Sequence, residues 1–205
     1  MKYIFVAGAP GSKWSSVVKN IYWSKDINHT DYSEARTYWH DAPGHLELMH
    51  TGAYFDPEME FGQFFHRLNE YDHYQCETEF DAPFSGAGIK IIKSHVFANH
   101  IDYIKTTWPD CPIVLAHRPD DACLGWWVKC GQFDITYPSY GYYKGFRDMA
   151  LKIQQQNSGI VAAMRKYSGR TPLNNRMLCD ILNIAQPPAE YSQDYGQSDV
   201  RVTVI

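Results

Sequence analysis

The residues best suited to chemistry lie in one short run near the start of the chain, G-A-P-G-S-K-W-S-S at positions 8–16. Its glycines let an anion approach the backbone, its serine hydroxyls donate hydrogen bonds, and Lys13 adds a full positive charge. The run is close to the phosphate-binding pattern G-x-x-x-x-G-K-[ST], but Lys13-Trp14 stand where that pattern has Gly-Lys. These residue types predict a phosphate-binding turn, with an ordinary turn carrying a surface lysine as the alternative.

The segments on either side indicate how this turn is held. Residues 3–7 form an apolar run typical of a buried strand, and residues 14–22 have helical spacing. A helix that begins at the turn directs N–H groups and the positive end of its dipole toward a bound anion. We therefore expect a strand, a glycine-rich turn and a helix, in that order.

Two further polar groups follow predicted strands. Ser94-His95 close the apolar segment 89–93, and His117-Arg118 follow the continuous apolar segment 113–116. The order of elements predicts a three-layer α/β fold, in which helices flank a central, mainly parallel sheet with right-handed crossovers. Because sites in such sheets lie outside the C-terminal ends of the strands, we expect Lys13, His95 and Arg118 to converge on one edge.

The remaining segments are assigned from periodicity and turn residues. We expect helices at 57–70, 97–108, 117–128, 144–167 and 173–184, loop-like segments at 24–56 and 71–87, and a tyrosine-rich loop at 131–143. Residues 1–185 are predicted to form a single α/β domain. Residues 186–205 are predicted to form a polar C-terminal tail, whose alternating last residues are a candidate edge strand.

Composition narrows the functional classes. The chain has 205 residues, of which 44% are hydrophobic and 20% charged, as expected for a folded domain. A net charge of −4 argues against broad binding to nucleic acid or anionic membranes, so an anion site must be local. No apolar run approaches the roughly 20 residues of a membrane span, and the N-terminus does not resemble a signal peptide. The five cysteines include no C-x-x-C pair, and the histidines lack metal-ligand spacing, so we expect reduced thiols, a cytoplasmic protein and no metal site.

Three motifs together resemble the sulfotransferase family, which transfers a sulfuryl group from 3′-phosphoadenosine-5′-phosphosulfate (PAPS) to a hydroxyl or amine. Residues 10–16 are similar to the P-K-S-G-T-T-W loop that holds the 5′-phosphosulfate, with the lysine and glycine positions exchanged. Residues 91–95 are similar to a strand ending in K-T-H, whose histidine is the base. Residues 113–124 are similar to the strand and R-N-P-x-D-x-x-x-S segment that binds the 3′-phosphate, although the asparagine is absent and the serine position falls near Gly125. The resemblance covers about 1–23 and 88–130.

The resemblance implies a P-loop-like fold and a specific division of roles. His95 would be the general base, and Lys13 and Lys93 would stabilise charge on the sulfuryl group and the leaving phosphate. The donor would be held by Pro10, Gly11, Ser12, Lys13, Trp14, Ser15, Ser16 and Arg118, with Trp14 or another exposed ring stacked on adenine. PAPS is then the nucleotide co-substrate, no metal is expected, and the acceptor is a small molecule or glycan contacted by residues 24–87 and 131–145. The oligomeric state stays open.

Two other interpretations remain. The G-A-P-G-S turn also fits a P-loop kinase of small molecules or nucleotides, although the Gly-Lys-[ST] core is broken and no predicted strand ends in an aspartate for Mg²⁺. The exchanged loop and the missing serine favour a non-catalytic fold relative that acts as a binding protein. Dependence on Mg²⁺ separates the two enzymes, and the binding protein predicts no nucleotide affinity.

Overall fold

In the part of the chain that the structure describes, five strands form one sheet, in the spatial order Ala53–Tyr54, Lys90–Lys93, Tyr3–Gly8, Ile113–His117 and Arg201–Val204. The computed structural model describes residues 1–31, 53–57, 61–129, 141, 144–191 and 199–205. The strands are β1 (Tyr3–Gly8), β2 (Ala53–Tyr54), β3 (Lys90–Lys93), β4 (Ile113–His117) and β5 (Arg201–Val204). The helices are α1 (Trp14–Tyr22), α2 (His73–Asp81), α3 (Ile101–Thr107), α4 (Asp120–Lys129), α5 (Phe146–Lys166) and α6 (Asn175–Leu182). Short 3₁₀ helices span Phe65–Glu70, Val96–Asn99 and Ala189–Tyr191.

The sheet register brings the predicted strand ends together. Strand β1 is central and pairs in parallel with β3, where Val6 faces Lys93, and with β4, where Gly8 faces Ala116. Strand β2 continues the parallel set, and β5 closes the other edge antiparallel to β4. The prediction of an α/β fold with a mainly parallel sheet is confirmed. The residues that follow β1, β3 and β4 therefore emerge at the same edge of the sheet.

Strand β1 is buried along its whole length, which explains its continuous apolar sequence. Ile4 and Val6 pack on one face of the sheet in a core that includes residues of α1 and α6. Tyr3 and Phe5 pack on the other face, where the Phe5 ring centroid lies 5.4 Å from that of Phe80 in α2. Helices thus cover both faces of the sheet, and α5 contributes residues to both cores.

The prediction of a helix at 57–70 is wrong. Its described part contains a turn at Gly62, whose φ is 73°, followed by the short 3₁₀ helix from Phe65. The α-helix of this region is instead α2, within the segment predicted to be loop-like. It begins with a capping box in which Asp72 and Gln75 each accept a hydrogen bond from the other's backbone N–H. The Asp-x-x-Gln spacing at 72–75 is itself a helix-start signal in the sequence.

The other assignments differ in smaller ways. The helix predicted at 97–108 is divided into the 3₁₀ helix Val96–Asn99 and α3. The C-terminal segment ends in β5, which pairs with β4 at the edge of the sheet. The predicted tyrosine-rich loop at 131–143 lies outside the described residues, apart from Gly141. Within the described ranges, no helix has the length and apolar character needed to cross a membrane.

Candidate functional site

The turn after β1 is held in a shape that its sequence makes possible. Gly11 has a φ of 78°, and a Cβ built on it would overlap the carbonyl oxygen of Cys123 in α4. Glycine is therefore needed here both for the backbone conformation and for the close approach of α4. Lys13 immediately precedes α1 and is also left-handed, with φ 60° and ψ 24°, a conformation that non-glycine residues rarely adopt.

Two cationic side chains converge on one carboxylate oxygen beside this turn. Asp199 Oδ1 lies 2.7 Å from Arg118 Nε and 3.8 Å from Lys13 Nζ. Arg118 Nη1 also donates to the carbonyl of Gly11, at 3.1 Å, so the guanidinium is fixed to the turn itself. Partial burial acts to raise the pKa of Asp199, but Arg118 and Lys13 outweigh it and hold that pKa below its usual range. Lys13 and Arg118 therefore lie together beside the turn, with the chain's own Asp199 carboxylate as their shared counterion.

The Arg118 backbone is itself anchored from α5. Asn157 Nδ2 donates to the Arg118 carbonyl at 2.8 Å and to Asp120 Oδ1 at 2.6 Å. The Arg118 side chain is only 11% exposed, which limits the competition of water for its hydrogen bonds. This support fixes the position of the cation before any ligand binds.

The three serines of the turn differ in how deeply they are buried. Ser12 is fully buried, and its hydroxyl lies close to Gly8, with no hydrogen-bond partner among the described residues. Ser15 and Ser16 are half-buried on the first turn of α1, and Pro10 is buried. Ser16 N–H donates to the carbonyl of Lys13, at 3.0 Å, which begins the helix.

His95 lies directly beside this turn and is held as a neutral imidazole. Its Nδ1 is hydrogen-bonded to the carbonyl of Gly8. Because a carbonyl oxygen only accepts, Nδ1 carries the proton and Nε2 has the lone pair. Burial lowers the pKa of His95 to about 3, and the nearby charges of Lys152 and Lys93 act in the same direction. His95 is therefore neutral at physiological pH, with Nε2 as the atom able to accept a proton.

Aromatic rings fix the His95 ring. The Trp14 ring stacks on it with centroids 4.0 Å apart and planes 13° apart, and Tyr54 meets it edge-on at 5.6 Å. Trp14 is 5% exposed, so the structure corrects the prediction that it stacks on adenine: its face is occupied by His95. Lys93, at the end of β3, is fully buried, with its Nζ 6.0 Å from the Trp14 ring centroid.

Asp56 is a site residue that sequence reasoning missed. Its carboxylate is fully buried, and Oδ1 accepts hydrogen bonds from the Ser94 hydroxyl at 2.5 Å and the His95 N–H at 3.0 Å. Its Oδ2 accepts from the Tyr54 hydroxyl at 2.7 Å. Burial raises the pKa of Asp56 to about 6, against the lowering effect of these hydrogen bonds. No local pattern in the sequence links Asp56 to Ser94, a serine that is 38 positions away.

Of the three predicted groups, Lys13 and Arg118 contact the same carboxylate, and His95 is linked to them only through the backbone of the turn. Lys13 and Arg118 share one anion position, while His95 is tied to β1 through the Gly8 carbonyl. Among the residues that the structure describes, no group of three or more His, Cys, Asp or Glu side chains is arranged to hold a metal ion. Comparisons with protein-family models, with curated proteins and with solved structures found no match. The function must therefore be inferred from the geometry of this site.

Proposed function

We propose that this protein is a sulfotransferase-like enzyme with a P-loop-like fold, which transfers a sulfuryl group from PAPS to a hydroxyl or amine. Lys13, Arg118 and the turn from Gly8 to Ser16 hold an anionic group of the donor, and His95 is the general base. The single observation that carries this proposal is the convergence of Lys13 and Arg118 on one Asp199 oxygen, beside a neutral histidine.

The residues present fit an anionic group of the donor. A carboxylate already lies where two cations converge, and a phosphate oxygen offers the same kind of acceptor. The turn belongs to a strand–turn–helix unit, whose helix N-terminus also favours negative charge. Because Lys13 and Arg118 share one position, they would bind the same anionic group. Arg118 therefore lies at the turn, and its separate assignment to the 3′-phosphate is replaced in this proposal by a contact near the 5′-phosphate.

The chemistry follows from the types of side chain. When bound, PAPS supplies an activated sulfuryl group. The acceptor oxygen or nitrogen bonds to sulfur as the bond between sulfur and the 5′-phosphate oxygen breaks, and that oxygen keeps the bonding electron pair. His95 Nε2 takes the proton that the acceptor loses, and general-base help of this kind is typically worth about 10²–10⁴-fold. Lys13 and Lys93 stabilise the negative charge that develops on the leaving group. Positioning and charge stabilisation together provide most of the catalysis in transfers of this type.

The low pKa of His95 is compatible with this role in the loaded site. Burial and the positive charges of Lys152 and Lys93 keep the imidazole neutral when the site holds only protein groups. An anion bound near these lysines would offset their effect and favour the imidazolium, so the pKa of His95 would rise on binding. The base would then become stronger when the donor is present.

The experiment is a calorimetric titration of the protein with 3′,5′-adenosine bisphosphate in the presence of EDTA, compared with ATP plus Mg²⁺. Tight binding of the bisphosphate without metal supports the proposal and justifies a screen of hydroxyl and amine acceptors with PAPS. Preference for Mg-ATP would replace it with the kinase interpretation.

One observation favours a second candidate, the non-catalytic binding protein. Asp199 already supplies a counterion to both cations of the turn and offsets one of their two positive charges, so the fold depends less on a bound anion for charge balance. This candidate predicts no heat with either nucleotide. A protein that binds neither nucleotide, while retaining its thermal transition, would favour it over both enzymes.

A further inference from the structure

We propose that Asp56 is a positioning residue that holds His95 in its reactive orientation. The inference deepens the proposed function and rests on it, since it concerns the histidine assigned as the base. Asp56 follows β2, whereas His95 follows β3, so the contact joins two neighbouring strand ends. Its carboxylate contacts no reacting atom and acts only through His95 and its neighbours.

The carboxylate fixes the backbone on both sides of the His95 side chain. His95 precedes the 3₁₀ helix Val96–Asn99, and the N–H groups at such a start have no acceptor within the helix. Asp56 Oδ1 supplies that acceptor for His95, at 3.0 Å, and for Val96, at 3.4 Å. The Ser94 hydroxyl donates to the same oxygen at 2.5 Å. Three consecutive residues are therefore anchored to one buried oxygen.

The second carboxylate oxygen fixes a ring that contacts the histidine. Asp56 Oδ2 accepts from the Tyr54 hydroxyl at 2.7 Å, and the Tyr54 ring lies edge-on to His95. The Tyr54 ring is also perpendicular to the Trp14 ring, with centroids 5.5 Å apart, and the Trp14 ring in turn stacks on the His95 ring. Asp56 thus controls the His95 backbone directly and one wall of its ring pocket through Tyr54.

Burial makes the ionised form of Asp56 costly to the fold. Its surroundings include the histidine itself and Tyr54, with Lys93 at the end of β3 and Lys152 of α5 close enough to His95 to lower its pKa. Burial nevertheless dominates and raises the pKa of Asp56 to about 6. A raised folded-state pKa means that this group favours folding when protonated, and that this contribution is lost as the pH rises through about 6. The ionised carboxylate is therefore kept at neutral pH at a cost to stability, which suits a positioning role better than a structural one.

The test uses Asp56→Ala and the isosteric Asp56→Asn, with Asp31→Asn as the matched control. Asp31 is also buried and accepts from the Tyr22 hydroxyl, at the opposite end of α1 from the site. The first readout is nitrogen-15 NMR of the His95 imidazole, which needs no substrate. In the unaltered protein we expect the neutral tautomer with the proton on Nδ1. In Asp56→Ala the Nδ1 proton should exchange with water faster, on the order of tenfold for one weakened hydrogen bond. Asp56→Asn should show a smaller increase and an unchanged or higher Tm, and Asp31→Asn no change in exchange.

The second readout is turnover of PAPS with an acceptor. Misplacement of the base should lower kcat on the order of 10²-fold in Asp56→Ala, with partial rescue in Asp56→Asn and an unchanged KM for PAPS. If the NMR changes occur without any sulfuryl transfer in the unaltered protein, positioning of His95 stands and the proposed function fails. If the His95 signals and exchange rates are the same in both Asp56 variants as in the unaltered protein, the positioning role is overturned. If Asp56→Ala fails to fold, the same comparison of His95 signals and exchange rates is made with Asp56→Asn alone.

Discussion

Removal of the Asp199 charge should tighten anion binding at the turn. In the structure, this carboxylate forms ion pairs with both Arg118 and Lys13, so it competes with a bound anion for the two cations. Asp199→Asn keeps the size of the side chain and removes the charge that competes. We therefore expect the variant to bind 3′,5′-adenosine bisphosphate, and also inorganic pyrophosphate, more tightly than the unaltered protein.

The expected size of this change in Kd follows from the solvent exposure of the Arg118 and Asp199 side chains. The Arg118 side chain is 11% exposed and the Asp199 side chain 41% exposed, so the pair lies between a buried and a surface ion pair. A hydrogen bond to a charged group contributes about 1.5–3 kcal/mol, and an exposed ion pair about 0–1 kcal/mol. A value near 1 kcal/mol corresponds to roughly a fivefold decrease in Kd. The same change should lower the free energy of unfolding by no more than about 1 kcal/mol, because the lost pair is partly solvated.

The assay is titration calorimetry at low and at moderate salt, with Asp110→Asn as the control. Asp110 is an exposed residue before β4, so this control makes the same change in net charge at the opposite edge of the sheet. The control should alter Kd much less, and salt should reduce the difference between the two variants. Equal effects from the two variants would mean that only net charge matters. Weaker binding by Asp199→Asn would show that Asp199 is not in the position of the anion.

Three other predictions concern the base, the turn and acid stability. His95→Ala should abolish sulfuryl transfer and retain bisphosphate affinity, whereas Arg118→Ala should weaken that affinity; normal turnover by His95→Ala would refute the base assignment. Gly11→Ala should lower the free energy of unfolding by about 1–3 kcal/mol in urea denaturation, because Gly11 has a positive φ and lies against α4. Gly125→Ala is the control and should be neutral or stabilising, because a Cβ there would enter open space on α4. Burial lowers the pKa of His95 to about 3, so the contribution of this residue to the free energy of unfolding is lost as the pH falls from about 6.5 toward that value. Between about pH 7.5 and pH 5, urea denaturation should therefore show a smaller loss of stability for His95→Gln than for the unaltered protein.

The parts of the fold that could be predicted are those specified by local sequence. Residues 3–7 and 113–116 are continuous apolar runs, and the structure buries β1 and most of β4 on both faces of the sheet. Their parallel pairing then requires their C-terminal ends to share an edge. The approach of Lys13 to Arg118 followed from that rule alone, although they are far apart in the chain.

The parts that could not be predicted depend on contacts between distant segments. Gly8 and His95 are 87 positions apart, and the bond from Arg118 to Gly11 spans 107. Asp199 lies next to both cations only because β5 brings the C-terminal segment back to β4. Strand β2 has two residues, too few for an alternating pattern to be recognised. The carboxylates that complete the site, Asp56 and Asp199, are thus the residues for which the sequence carries no local signal.

The neutral state of His95 has a consequence for how anion binding depends on pH. If His95 were an imidazolium near neutral pH, anion affinity would rise as the pH falls through about 6.5, the usual pKa of histidine. Since burial lowers that pKa to about 3, His95 does not titrate in this range, whereas Asp56 does, because burial raises its pKa to about 6. Its protonation removes a negative charge close to the site, so affinity for inorganic sulfate, which does not titrate here, should increase modestly between about pH 7.5 and pH 5. The increase should persist in His95→Gln and disappear in Asp56→Asn, as measured by calorimetry. An increase that disappears with His95 and persists without Asp56 would mean that the histidine is charged, and that it contributes to anion binding as a cation and not as a base.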